Sequence, residues 1–117
     1  MDPLILSAVV FGLAALGGLA MAGIRLGGAP RPPTWMALGH GAAAGAAVLL
    51  LIYAMVTTAV PGLAQIALLI FLVAAAGGAT IFLRFHLRQQ ELPLPFIAGH
   101  GLLAVAGFAV LLLAILG

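Results

Sequence analysis

LAQIALLIFLVAAAGGATIFL, the stretch Leu63–Leu83, contains no charged side chain. A helix that crosses a bilayer needs about 20 mostly apolar residues, and this run meets that length unaided. It has no two-residue alternation of apolar and polar positions, which argues for a helix and against a membrane strand. Three further runs of the same kind are Leu4–Ile24, Trp35–Val56 and Phe96–Leu116. The breaks between them carry loop residues: Gly27-Gly28-Ala29-Pro30-Arg31-Pro32-Pro33, then Pro61-Gly62, then Arg88-Gln89-Gln90-Glu91-Leu92-Pro93. The sequence therefore predicts an all-α integral membrane protein, a bundle of four transmembrane helices forming one domain.

Composition excludes the other classes. Of 117 residues, 66% are apolar and only six are charged, four arginines and two acids, with a mean hydropathy of +1.38. Soluble domains carry about 25% charged residues, and disordered segments need low hydrophobicity with high charge. The chain has no cysteine, hence no disulfide framework, zinc–thiolate site, iron–sulfur cluster or thiol nucleophile. An isoelectric point near 10.7 arises from so few arginines that a nucleic-acid surface is not expected. Asp2 in place of a basic start, and the length of the first apolar run, read as a span rather than a secretory signal peptide. The short loops predict no soluble substrate-binding domain.

Arg25, Arg31, Arg84 and Arg88 all fall at the first and third connections, and none lies at the Pro61-Gly62 turn or either terminus. The positive-inside rule puts both arginine loops in the cytoplasm and both chain ends outside. A bacterial inner membrane is the expected location.

Laying position 11 on position 71, and continuing without gaps, superposes Phe11, Ala14, Ala15, Gly17 and Gly18 on Phe71, Ala74, Ala75, Gly77 and Gly78. The same register superposes Pro33 on Pro93 and Gly39-His40-Gly41 on Gly99-His100-Gly101, and Ala44, Ala46, Leu51 and Ala54 on Ala104, Ala106, Leu111 and Ala114. Positions 11, 14, 15 and 18 form one i, i+3, i+4, i+7 stripe, as do 40, 44, 51 and 54, with Ala47 and Gly107 on the matching stripe. Residues 1–57 and 58–117 thus read as two tandem two-helix repeats. An even number of spans per repeat keeps their orientation, so a pseudo-two-fold axis along the membrane normal is expected.

The repeat concentrates chemistry in one layer. His40 lies seven positions after Pro33, about 10 Å along a helix at roughly 1.5 Å per residue, and His100 repeats that depth. Gly17, Gly18, Gly39, Gly41, Gly77, Gly78, Gly99 and Gly101 share the slab. An ionisable side chain within a span is costly unless it faces the bundle interior. Opposed histidines on different helices can supply both axial ligands of a b-type haem. On that reading glycines clear the faces of the macrocycle, and Arg25, Arg84 and their neighbours meet its propionates. The function expected is transmembrane electron transfer, with His40 and His100 as metal ligands.

The same residues allow plainer roles. Small residues at regular helical spacing let transmembrane helices approach without any cofactor, and each histidine can bond a carbonyl or the other histidine. A quinone is another ligand class for the layer. The alternative function is a cofactor-free structural or accessory subunit of a membrane complex, or a small transporter- or channel-like oligomer. Partners expected are lipids and either further copies of the chain or a larger membrane assembly. His86 and His100 have the spacing of two haem ligands on one helix, but Pro93 and Pro95 interrupt any helix between them. Arg84-Phe85-His86-Leu87-Arg88 reads instead as an interfacial helix end with snorkelling arginines.

Gly17-Gly18-Leu19-Ala20-Met21-Ala22-Gly23-Ile24-Arg25 resembles the glycine-rich start of small fluoride channels. The Thr/Phe/Ser-rich third span and second-span asparagine of that family have no counterpart. Small multidrug-resistance transporters share the four-span format but need a glutamate in the first span, and no span here holds an acid. Ser7, Thr57, Thr58 and Thr80 have no base-and-acid set, so hydrolytic or transferase catalysis is not expected. Trp35 and Tyr53 near the two ends of the second span suit headgroup level.

Overall fold

The structure, a computed structural model, describes residues 1–117. It is all-helical: α1 (Pro3–Leu26), α2 (Thr34–Thr57), α3 (Gly62–Thr80) and α4 (Leu94–Leu116), with a π-helical turn over Ile81–His86 continuing α3. All four rods, the third counted through His86, are long and apolar enough to cross a membrane. The elongated bundle measures 44 × 22 × 20 Å. Each expected span lies inside its rod.

Proline sets most of the starts. Pro33, Pro61 and Pro93 precede α2, α3 and α4 with φ of −58°, −59° and −71°, the value the ring imposes and a helix entry tolerates. Their carbonyls accept the first helical N–H groups, as in Ala64 N to Pro61 O at 2.9 Å. Before α1, the Asp2 carboxylate accepts from the Leu4 N–H at 2.7 Å, an N-cap in front of Pro3. At the other end of α1, Gly28 takes φ of +114°, a turn that L side chains resist.

Each helix packs chiefly on its hairpin partner, α1 on α2 and α3 on α4. The buried residues are Leu4, Ser7, Ala8, Phe11 and Ala14 on α1, Ala47, Leu51 and Ala54 on α2, Ala64, Ala67, Phe71 and Ala74 on α3, and Gly107, Leu111 and Ala114 on α4. Small side chains dominate this set, which brings the backbones close. Phe11 and Phe71 stack across the bundle with ring centres 3.7 Å apart and planes 8° from parallel. The Ser7 hydroxyl donates to the Ala47 carbonyl at 2.8 Å.

All of those helical positions lie in the half of the bundle that holds the termini and the Pro61-Gly62 turn. In the opposite half of the four α-helices, no residue is fully buried. That half is fastened at its far end by the loops. Arg25 donates to the Leu92 carbonyl at 2.9 Å and to Glu91 at 2.6 Å. Arg31 donates to the Gln89 carbonyl at 2.7 Å, and Leu92 N–H reaches Pro30 O at 3.1 Å. The bundle is thus tight at one end, tied at the other and loosely filled between.

Candidate functional site

His40 on α2 and His100 on α4 lie in the loosely filled layer, facing each other with ring centres 6.0 Å apart and planes at 84°. Each ring is held by the first helix of its own hairpin. His40 Nδ1 lies 2.8 Å from the Ala14 carbonyl oxygen and His100 Nδ1 lies 2.7 Å from that of Ala74. A carbonyl only accepts, so Nδ1 carries the proton in both rings. Nε2 is left with its lone pair in the neutral imidazole, and neither Nε2 has a hydrogen-bond partner in the protein. Pinning one nitrogen on a carbonyl so that the other is free is how metal-ligating histidines are oriented.

The glycine doublets make this contact possible. In an α-helix the carbonyl of residue i is met by the N–H of residue i+4, so Gly18 sits beside the Ala14 carbonyl and Gly78 beside that of Ala74. A methyl group on Gly18 would stand 3.0 Å from His40 Cε1, and one on Gly78 would stand 2.9 Å from His100 Cε1. Gly17 and Gly77 would place theirs 4.0 and 3.9 Å from the Cβ of the same histidines. Their missing side chains make room for the imidazoles, where the sequence suggested room for a macrocycle.

The structure therefore brings together His40, His100, Gly17, Gly18, Gly77 and Gly78. It leaves the glycines flanking each histidine apart. Gly39, Gly41 and Gly99 are exposed, Gly101 is half-buried, and a Cβ at any of the four meets nothing within 4 Å. Residues adjacent to a histidine on a helix point about 100° away from it, as a pitch of about 3.6 residues per turn requires. Gly39 instead joins Gly17, Trp35 and Met36 around a shallow groove of 220 Å³ beside His40. Arg25 is occupied by Glu91 and Leu92, and Arg84 is exposed.

Ligand number bears on what the pair can hold. No cluster of three or more His, Cys, Asp or Glu occurs in the chain, so an ion here would take two protein ligands. A haem fits that donor set, because its macrocycle supplies the remaining nitrogens. The ring centres lie 6.0 Å apart, and Nδ1, Cε1 and Nε2 of each ring all lie within 3.7 Å of the Cβ position of Gly18 or Gly78 on the helix that pins it.

Two polar residues outside this layer make a contact that the sequence reading does not predict. His86 is only 6% exposed, its Nε2 lies 3.0 Å from the Thr34 hydroxyl, and its ring stacks on Phe82 at 5.2 Å. At this helix end, where the sequence predicts an interfacial segment, His86 is a buried, bonded imidazole while Arg84 and Arg88 are exposed. The internal superposition held a signal for it: His86 falls on Leu26 and Thr34 on Leu94, two polar residues opposite leucines. No protein-family model, curated protein or solved structure matches the chain.

Proposed function

We propose that the chain is an integral membrane protein, built from a duplicated helical hairpin, whose His40–His100 pair binds one b-type haem and serves transmembrane electron transfer. Membrane insertion is supported by four long apolar helices and by outward leucines such as Leu13, Leu19, Leu49, Leu69 and Leu102, all of them well exposed. Apolar patches on that scale are foreign to a soluble monomer. The arginine loops are assigned to the cytoplasm by the positive-inside rule, in a bacterial inner membrane. The duplication is supported by contacts that recur at matching positions of the two halves, Ala14–His40 with Ala74–His100 above all.

The observation that carries the function is the pair of pinned imidazoles with unpaired Nε2 atoms, 6.0 Å apart by ring centre. His40 and His100 would hold the haem, and the bound iron would supply one-electron oxidation and reduction. Ala14 and Ala74 carbonyls orient the two ligands and strengthen their basicity. Gly18 and Gly78 set how close each ring approaches its helix. The loosely filled half of the bundle gives the flanks of the pair little side-chain volume to displace.

An absorption spectrum tests the reading. Protein purified in detergent from haem-supplemented cells is expected to show low-spin bis-histidine bands, lost alike in His40→Ala and His100→Ala. A folded, colourless preparation overturns it. The second reading, a cofactor-free accessory subunit, draws on the absence of buried residues in the helical half around the histidines, which a partner helix would complete. It predicts co-purification with a larger membrane complex, unaffected by His→Gln changes at either position.

A further inference from the structure

The two arginine-bearing loops border an open cleft of 620 Å³, whose walls include Ile24, Arg31, Thr34, His86, Leu87 and Gln89. Such a volume lies within the range of small-molecule clefts. Its charged lining is a single guanidinium. Arg31 spends one N–H on the Gln89 carbonyl, and a guanidinium has five donors. His86 spends Nε2 on Thr34, and its other ring nitrogen has no protein partner. Nδ1 is a further donor in the tautomer whose Nε2 accepts from the Thr34 hydroxyl, and in the protonated ring. Helix α2 starts at Thr34 without a side-chain cap, so its first N–H groups and the positive end of its dipole lie at the same wall. No acid lines the cleft, and the one nearby carboxylate, Glu91, is taken by Arg25.

Local backbone departures converge on this place. The π turn draws His86 inward to 6% exposure, whereas Leu26 at the matching position of straight α1 is 70% exposed. Turns of this kind occur often at functional sites. Gln89 takes φ of +56°, a conformation that non-glycine residues keep only where the surroundings hold it. Pro30, Pro32 and Pro33 stiffen the facing loop, and the Leu92–Pro30 and Arg31–Gln89 bonds tie the two loops into a preformed rim. Ile24, Pro32, Pro33 and Leu87 complete the wall with apolar surface.

From this geometry we infer a phosphate-binding site, formed by Arg31, His86 and the start of α2, with Thr34 orienting the His86 ring. The phosphate group comes either from an anionic phospholipid headgroup or from free phosphate. Charge-assisted donors select the anion, and the apolar wall accommodates carbon attached to it. The site is independent of the His40–His100 pair, neither of which lines the cleft, so it stands or falls separately from haem binding.

The test uses the full chain in a neutral detergent, with the ¹⁵N imidazole signals of His86 followed by NMR. Inorganic phosphate, short-chain phosphatidylglycerol and the matching diacylglycerol are titrated in turn. A saturable shift with phosphatidylglycerol alone supports the site and assigns the lipid source. A saturable shift with inorganic phosphate supports it and assigns the free anion. In either case Arg31→Gln is expected to weaken binding roughly tenfold or more, the loss of one charge-assisted bond. Thr34→Val, which keeps the loop charges, gives an independent check if Arg31→Gln does not fold. The inference is overturned if neither phosphate probe shifts His86 in the unaltered chain. It is equally overturned if diacylglycerol matches them, or if the folded variants bind as the original does.

Discussion

Replacing Gly78 by alanine isolates the contact on which the histidine layer depends. The added methyl would stand 2.9 Å from His100 Cε1, 3.3 Å from Nδ1 and 3.5 Å from Nε2. These are the atoms of a stiff ring anchored to Ala74, not the end of a flexible chain. Overpacking of this kind costs about 1–3 kcal/mol, and a ring that yields also loses its carbonyl bond, worth about 0.6 kcal/mol within membranes. Against this, alanine is favoured over glycine within a helix by about 1 kcal/mol. The net expectation is a loss of about 1–2 kcal/mol. With His100→Ala in the background the ring is gone, so only the helix term remains and the sign reverses. Gly99→Ala, whose methyl meets nothing within 4 Å, should be neutral or stabilising in both backgrounds. The assay is unfolding by SDS in mixed micelles, followed by helical circular dichroism, for the four members of the Gly78/His100 cycle. A coupling energy of at least about 1 kcal/mol is expected between the two positions. Equal cost of Gly78→Ala with and without His100 would refute the claim that the glycine exists for the ring.

Further outcomes follow from other contacts. Gly107→Ala places a methyl 3.1 Å from the Phe71 ring and 3.2 Å from Ile70 Cγ2; because Phe71 is backed by Phe11, a loss of about 1–3 kcal/mol is expected in the same assay. Leu51→Ala and Leu111→Ala each empty a fully buried site, with an expected cost of about 2–5 kcal/mol. Glu91→Gln removes an ion pair whose acid is 68% exposed and should cost under about 1 kcal/mol, vanishing in high salt. Arg25→Gln should cost more, since it also strips the bond to the Leu92 carbonyl. Because the chain has no cysteine, single Gln90→Cys and Thr58→Cys variants report sidedness directly. A membrane-impermeant maleimide on intact cells should label position 58 and reach position 90 only after lysis; the opposite pattern reverses the assigned orientation.

The four helices were legible because a bilayer-length apolar run needs no tertiary information to be recognised. Their starts were legible because Pro33, Pro61 and Pro93 act locally. The pairing of Ala14 and Gly18 with His40 was half legible. Internal repetition marked the residues, but the reason for the glycines depends on which carbonyl the ring reaches, a three-dimensional fact. The roles expected of Gly39, Gly41, Gly99 and Gly101 rested on adjacency to histidine, and helical pitch turns neighbours in sequence toward different faces. The π turn was illegible. Ile81-Phe82-Leu83-Arg84-Phe85 has no proline or glycine to announce it, and the extra residue it accommodates is what swings His86 from the surface into the loops. The concentration of buried helical positions in the terminal half also escaped the pattern, since alanine and glycine occur on every face of these helices.

Because each helix rests mainly on its own hairpin partner, the peptide link at Pro61-Gly62 holds little of the interface in place. Its principal effect is to raise the local concentration of one hairpin around the other. Two separate polypeptides cut at that turn are therefore expected to keep their hairpin folds, and to rebuild the Phe11–Phe71 stack only at a higher concentration in the bilayer than the joined chain needs. Under the proposed duplication, an ancestral gene for a single hairpin had the same opportunity with a copy of itself. On that account fusion would have freed the two halves to diverge, with a buried histidine in one where the other has a leucine.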